Sequence, residues 1–85
     1  MDAFQIIKNP ISTEKAVRLM ESENKLIFLV DRNASKPEIK QALEEIFKIK
    51  VEKVTTLINK GVKKAYVKIS KETKAIDIAT QMGLI

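Results

Sequence analysis

The chain has 85 residues and a net charge of +5, and it contains neither cysteine nor histidine. A chain of this length builds one modest hydrophobic core, so we expect a single domain over residues 1–85. The absence of these two residue types excludes disulfides, thiolate metal sites and the commonest catalytic nucleophiles and bases.

The N-terminal stretch does not have the character of a targeting segment. MDAFQIIKNP has an acidic second residue and a proline at position 10, unlike the basic and then apolar start of a secretion signal. No apolar run approaches the length of a membrane-spanning helix. We therefore expect a cytoplasmic protein that is not inserted into a membrane.

The positive charge is unevenly distributed along the chain. Residues 1–49 contain eight Lys/Arg and eight Asp/Glu, whereas residues 50–85 contain eight lysines and three acids. The whole net charge therefore belongs to the C-terminal part. Such a concentration favours contact with a polyanion, although a solvated lysine-rich surface has the same composition.

The first predicted elements are a strand, a helix and a second strand. Residues 4–8 read as a short strand, because Asn9-Pro10 favours extended geometry followed by a turn. Ser12 is the predicted N-cap of a helix that runs to Met20. The apolar run at residues 25–30 has the length of a strand that is covered on both faces.

The next segment predicts an amphipathic helix. Ser35 and Glu38 form a capping-box pattern, and Pro37 stands in the first turn, where its missing N–H costs nothing. Glu44 and Lys48 have the spacing of an exposed ion pair. The apolar residues at helical spacing are Ile39, Ala42, Leu43, Ile46 and Phe47.

The last predicted elements are a β-hairpin and a helix. Residues 51–59 are rich in β-branched types, residues 63–70 alternate in polarity, and Gly61 supplies the positive φ of a tight turn between them. Thr73 and Gly83 are the predicted caps of the final helix. The predicted class is α+β, with a small antiparallel-dominated sheet of four strands, three helices and the order β-α-β-α-β-β-α.

The predicted hairpin carries the candidate nucleic-acid site. In a strand, Lys64, Tyr66 and Lys68 share one face at intervals of about 7 Å, close to the spacing of successive phosphates. Tyr66 can stack on a base or a sugar. Lysines on an exposed strand also discourage aggregation, and they equally suit a protein-interaction module that binds an acidic partner. The other candidate RNA-binding residues are Lys8, Lys60, Lys63 and Lys71.

The sequence offers no convincing set of catalytic residues. Glu44 and Glu45 are adjacent on a helix and point in different directions, and the two glycines cannot build a phosphate-binding loop. An enzyme would need several converging polar groups. We expect a non-enzymatic protein with no catalytic residue, no metal site, no cofactor and no small-molecule substrate.

Four linked motifs resemble the family of large-subunit ribosomal proteins numbered twenty-three, in its archaeal form. They are IKNPISTEKA at residues 7–16, ASKPEIKQALEEIF at 34–47, VEKVTTL at 51–57 and KKAYVKIS at 63–70. The resemblance covers essentially the whole chain. It implies the same β-α-β-α-β-β-α order and a structural RNA-binding role on the ribosome.

The resemblance also implies partners. Members of the family bind large-subunit (23S) ribosomal RNA beside the mouth of the exit tunnel, next to the protein numbered twenty-nine. They form a docking platform for the signal recognition particle, the protein-conducting channel and, in bacteria, the chaperone trigger factor. By motif, Glu14 matches the position that contacts this chaperone, and Lys63, Lys64 and Tyr66 match the basic hairpin signature.

The chain departs from its bacterial relatives at the hairpin. Those relatives carry a long basic loop that reaches into the tunnel, whereas only residues 59–62 link the two strands here. We therefore expect no tunnel-sensing role.

Overall fold

The computed structural model describes residues 2–83, in which four helices accompany the four strands of one antiparallel sheet. The α+β class and the four strands are confirmed. The elements are α1 (Ala3–Ile6), β1 (Ile7–Pro10), α2 (Glu14–Glu23), β2 (Lys25–Val30), α3 (Lys36–Phe47), β3 (Val51–Asn59), β4 (Val62–Ile69) and α4 (Ala75–Gln81).

The strand order is β1-β2-β4-β3, so β2 and β4 are central and β1 and β3 form the edges. All three pairings are antiparallel. The predicted hairpin is confirmed as β3 and β4. Its turn residues Lys60 and Gly61 have φ values of 53° and 77°, and two positive φ values are the geometry that matches the twist of the flanking strands.

One face of the sheet and the helices enclose the hydrophobic core. Alternate residues of β2 and β4 face the helices, which contribute their own apolar sides to the same cluster. The largest fully buried side chains are Leu26, Phe28, Ile39, Leu43, Val67, Ile69 and Ile78. The Phe28 and Phe47 rings, with centroids 5.9 Å apart, join the sheet to α3.

Helix α3 forms as predicted. The Ser35 hydroxyl accepts from the Glu38 N–H at 3.3 Å, and the Glu38 carboxylate accepts from the Ser35 N–H at 3.0 Å. Hydrogen bonding of the Glu38 carboxylate to the Ser35 backbone, and less strongly to the Ser35 hydroxyl, lowers the pKa of Glu38. The expected pairing of Glu44 with Lys48 was wrong, because Glu44 Oε2 accepts instead from the Val51 N–H at 3.0 Å and so ties the helix to β3.

The start of the chain corrects the sequence prediction. The strand predicted over residues 4–8 begins only at Ile7, because Asp2 and Gln5 form a capping box that starts the single-turn helix α1. The turn buries Ala3 and Ile6 and leaves Phe4 77% exposed. This extra element raises the helix count from three to four.

Helix α2 starts and ends later than predicted. Its N-cap is Thr13 rather than Ser12, since Thr13 Oγ1 accepts from the Ala16 N–H at 3.2 Å. The helix continues past Met20 to Glu23, and its C-cap Asn24 adopts the left-handed conformation at φ 55°. Polar residues 21–23 extend the helix because its outer face needs no apolar side chains.

Asn24 also supplies the cap that was assigned to Thr73. Its Oδ1 accepts from the Ala75 N–H at 2.7 Å, while its Nδ2 donates to the carbonyls of Thr73 at 2.9 Å and Ile69 at 3.1 Å. The N-cap position of α4 is occupied by Lys74, which makes no side-chain capping bond. One side chain therefore joins the ends of α2 and β4 to the start of α4.

Candidate nucleic-acid interface

The sheet has a second face, which is turned away from the core cluster. Along β4, Lys64, Tyr66 and Lys68 are half-buried on this face, as their alternation with buried Ala65, Val67 and Ile69 predicts. We call this surface the open sheet face. The register adds residues of β2 and β3 to it. Its members are Lys25, Ile27, Leu29, Lys53, Thr55, Leu57, Lys64, Tyr66 and Lys68.

One row across the open sheet face consists of lysines alone. Lys68 lies opposite Lys25 on one side and opposite Lys53 on the other. Neighbouring strands lie about 4.8 Å apart, and like charges directly opposite each other destabilise a sheet. Lys25 Nζ is 3.1 Å from Glu23 Oε1, whereas neither Lys53 nor Lys68 has a carboxylate within ion-pair distance in residues 2–83.

The other two rows combine polar and apolar side chains. Tyr66 lies between Ile27 and Thr55, and Lys64 lies between Leu29 and Leu57. A half-exposed aromatic ring beside cations is a surface on which a base or ribose can stack while phosphates contact the ammonium groups.

The remaining hairpin lysines do not share this face. Lys63 lies on the opposite side of β4, where its Nζ donates to the Ala34 carbonyl at 2.6 Å. Lys60 is exposed in the turn, and Lys71 is exposed beyond the other end of β4. The structure therefore brings together Lys64, Tyr66 and Lys68, with Lys60 and Lys71 at the two ends.

Lys8 is part of a second group of cations. It lies on β1 and lines a groove of about 120 Å³ beside the hairpin turn, together with Arg32, Lys63 and the backbone of Gly61. No carboxylate lines this groove in the described part of the chain. Arg32 and Lys63 thus place positive charge near the hairpin turn, on the β1 side of the sheet, whereas Lys53 lies on the β3 edge.

Three cations of these groups, Lys25, Lys53 and Arg32, were missed in the sequence. Lys53 follows a register shift after Val51, so counting alternate residues along β3 does not fix its face. Lys25 is recognised only through its pairing with Lys68. The sequence does contain a signal for Lys25. The first residue of an antiparallel strand lies opposite the last residues of its neighbour, so Lys25 at the start of β2 is expected near Lys68 at the end of β4.

Glu14 lies in the other layer of the molecule. It opens α2, whose Met20 belongs to the core cluster on the helical side of the sheet. Its Oε1 accepts from Arg18 Nη2 at 3.1 Å, and the Glu14 side chain is 85% exposed. The candidate protein-docking residue is therefore separated by the sheet from the lysine row. Over residues 2–83, no helix combines the length and apolarity needed to cross a bilayer.

Comparison with known proteins points to a family of ribosomal proteins. The family model described as ribosomal protein L23 matches residues 5–79, which include every strand and all members of the open sheet face. The chain is also 46% identical, over 85 residues, to the large ribosomal subunit protein uL23 of the archaeon Methanococcus aeolicus. That alignment covers 99% of each of the two chains.

Proposed function

The chain belongs to the ribosomal protein L23 family, and from this membership we propose that its open sheet face binds large-subunit (23S) ribosomal RNA. As a member of the family, the chain is a structural, non-enzymatic component of the large subunit of the cytoplasmic ribosome. The archaeal form expected from the motifs agrees with the archaeal relative.

The row of Lys25, Lys68 and Lys53 carries the proposal. Lys25 is paired with Glu23, but Lys68 and Lys53 lie opposite each other without a carboxylate partner in residues 2–83, so their repulsion costs stability unless an anion lies over the row. A sugar-phosphate backbone supplies that anion and gains the entropy of released counterions. The row is thus favourable in a ribonucleoprotein and unfavourable alone.

The two neighbouring rows of the open sheet face add a further cation and an aromatic ring to the proposed RNA contact. Lys64 adds a cation between two leucines, and Tyr66 offers a ring for stacking. Contacts to phosphate and sugar position a protein without reading the base sequence, so the open sheet face recognises the shape and charge of the RNA.

The cations around the hairpin turn extend this contact around the end of the sheet. Lys8, Arg32 and Lys63 line the groove beside the turn, and Lys60 is exposed in the turn itself. The Lys63 side chain lines this groove while its ammonium donates to the Ala34 carbonyl, which fixes the side chain in place. RNA that follows the open sheet face past Lys60 can reach this groove, while Lys71 contacts it at the other end.

The helical layer is proposed for protein partners at the mouth of the exit tunnel. Family membership supports a position beside protein twenty-nine and docking of the signal recognition particle and the protein-conducting channel. Glu14 is exposed on this layer and separated from the RNA-binding lysines by the sheet. Glu14→Lys should weaken binding of the signal recognition particle to large subunits and leave incorporation of the protein unchanged. Glu21→Lys, on the same helix, is the matched control.

The test of the RNA contact is a paired charge reversal. Lys64→Glu with Lys68→Glu should lower affinity for large-subunit RNA and reduce the slope of log affinity against log salt by about two phosphate contacts. The control carries the same charge change on the helical layer, at Lys15 and Lys74, and should keep most of the salt slope. Equal loss in both variants would show that only net charge matters. Unchanged affinity of the first variant would refute the assignment.

A further inference from the structure

Strand β3 leaves one long edge of the sheet unpaired. It is the terminal strand of the order β1-β2-β4-β3, and no strand of residues 2–83 lies on its outer side. An edge of this kind presents main-chain N–H and C=O groups that can pair with an extended segment of another chain.

The register identifies the groups that point outward. Asn59 and Val62 flank the two-residue turn, and such a flanking pair is hydrogen-bonded across the hairpin. Because bonding direction alternates along an antiparallel strand, Val54, Thr56 and Ile58 direct their N–H and C=O groups away from β4. These three residues offer six main-chain groups on the free edge.

The first residues of β3 are protected from pairing with another strand. The Val51 N–H donates to Glu44 Oε2 at 3.0 Å, and the register shifts between Val51 and Lys53. Bulges and covering side chains are the usual devices that protect an edge strand from pairing. They protect only the start of β3. Val54 is still buried, and exposure then rises through half-buried Thr56 to exposed Ile58, which form the accessible stretch.

A basic groove accompanies the accessible stretch. Helix α3 and β3 enclose a groove of about 350 Å³ at Val54, with Lys36, Lys40 and Lys53 on its walls and Glu52 as the one acidic residue that lines it among residues 2–83. Val54 and Pro37 give it an apolar component. Farther along the edge, Ile58 is 53% exposed.

We propose that this edge binds an extended acidic segment of a partner protein, which adds to the sheet as a fifth strand beside β3. Alternating N–H and C=O groups match a peptide backbone, whereas a sugar-phosphate chain has no alternating donors to pair with them. Carboxylates on one side of the added strand reach Lys36 and Lys40. The residues between them face the other side of the sheet, because successive side chains of a strand alternate in direction.

The probe is a labelled peptide with the repeat Thr-Glu-Val-Glu, compared with its Thr-Lys-Val-Lys counterpart. Titration of the acidic peptide into the isotope-labelled full chain should shift the amide signals of Val54, Thr56 and Ile58 and slow their hydrogen exchange. The basic peptide should leave those signals in place. Equal binding of both peptides, or shifts confined to the open sheet face, would overturn the proposal.

Two variants separate the main-chain pairing from the charge. Thr56→Pro removes one outward N–H without touching the ladder to β4, so peptide binding should be lost while the Lys64 and Tyr66 amides stay protected. Lys36→Glu with Lys40→Glu should weaken acidic-peptide binding about tenfold. The Lys15→Glu with Lys74→Glu control should not.

The remaining outcomes are also decisive. If a fragment of large-subunit RNA, and not the peptide, protects the outward amides, the groove is a nucleic-acid site and the proposal fails. If the edge pairs with a second copy of the chain, the free protein will sediment as a dimer, which also contradicts it. Lys64→Glu with Lys68→Glu should bind the peptide normally, so this test is independent of the RNA contact.

Discussion

Lys68 is the residue at which stability and the proposed RNA contact oppose each other most directly. It faces Lys53 and the Glu23-paired Lys25 across two strands, and its replacement by glutamate removes the repulsion and places a carboxylate beside both ammonium groups. Lys68→Glu should raise the free energy of unfolding by about 0.5–1 kcal/mol at low salt, since cross-strand pairs contribute a few tenths of a kcal/mol each. The same change should weaken binding to large-subunit RNA.

Urea unfolding at low and high salt measures the first effect, and filter binding measures the second. Lys15→Glu on α2 is the control, with little change expected in either. If Lys68→Glu destabilised the chain at low salt, repulsion between the lysines of this row would not lower the stability of the free protein.

Asn24 is the residue on which the packing of α4 depends most. Asn24→Ala removes the hydrogen bonds to Ala75, Thr73 and Ile69. It also places alanine in the left-handed conformation at φ 55°, which asparagine tolerates better. The expected loss is about 2–4 kcal/mol in the free energy of unfolding. Asn24→Gly should cost about 1 kcal/mol less, because glycine tolerates the left-handed conformation. Equal losses would show that the backbone conformation contributes nothing.

At the residue scale, the sequence was informative along one strand and silent across strands. Alternation placed Lys64, Tyr66 and Lys68 on a common face because the side-chain period of a strand is two. Lys25, Lys53 and Asn24 act through neighbours that are distant in the chain. Their roles depend on register and on helix docking, which no local pattern encodes.

At the scale of elements, the cap of α3 makes stability depend on pH. Hydrogen bonds from the Ser35 backbone and hydroxyl lower the pKa of Glu38 below its ordinary 4.5. The unfolded chain therefore binds more protons in this range, and the contribution of Glu38 is complete above pH 4.5 and is lost as pH falls through the lowered folded value.

Glu38→Gln tests this link. The variant keeps a side chain that can accept from the Ser35 N–H but cannot titrate, so its melting temperature should fall less steeply below about pH 4.5 than that of the parent chain. Glu45→Gln, an exposed position on the same helix, is the matched control. A parallel decline in the parent and Glu38→Gln would contradict the assignment.

The elements that were predicted well have their determinants close together in the sequence. The α3 capping box, its apolar spacing and the Lys60-Gly61 turn each lie within a few residues. Helix α1 was missed because its Asp2-Gln5 box precedes an apolar run that reads as a strand. Helix α2 was placed too early because Ser12 and Thr13 are both acceptable caps, and only the folded geometry selects Thr13.

At the scale of the whole molecule, the sheet separates two kinds of surface. One side carries the lysine row and Tyr66, and the other carries the helices with Glu14 exposed. Family membership fixes the particle in which the chain works. Under the proposed function, this two-sided arrangement lets a small domain contact RNA on one side and present a free layer to protein partners on the other.

The accessibility of lysines within the assembled large subunit tests this arrangement most directly. Acetylation followed by mass spectrometry, on free protein and on intact subunits, should show Lys53, Lys64 and Lys68 protected on assembly and reactive again after nuclease digestion. Lys15, on the helical layer, should remain reactive throughout. If Lys53, Lys64 and Lys68 react equally in the free protein and in the subunit, the open sheet face does not contact RNA.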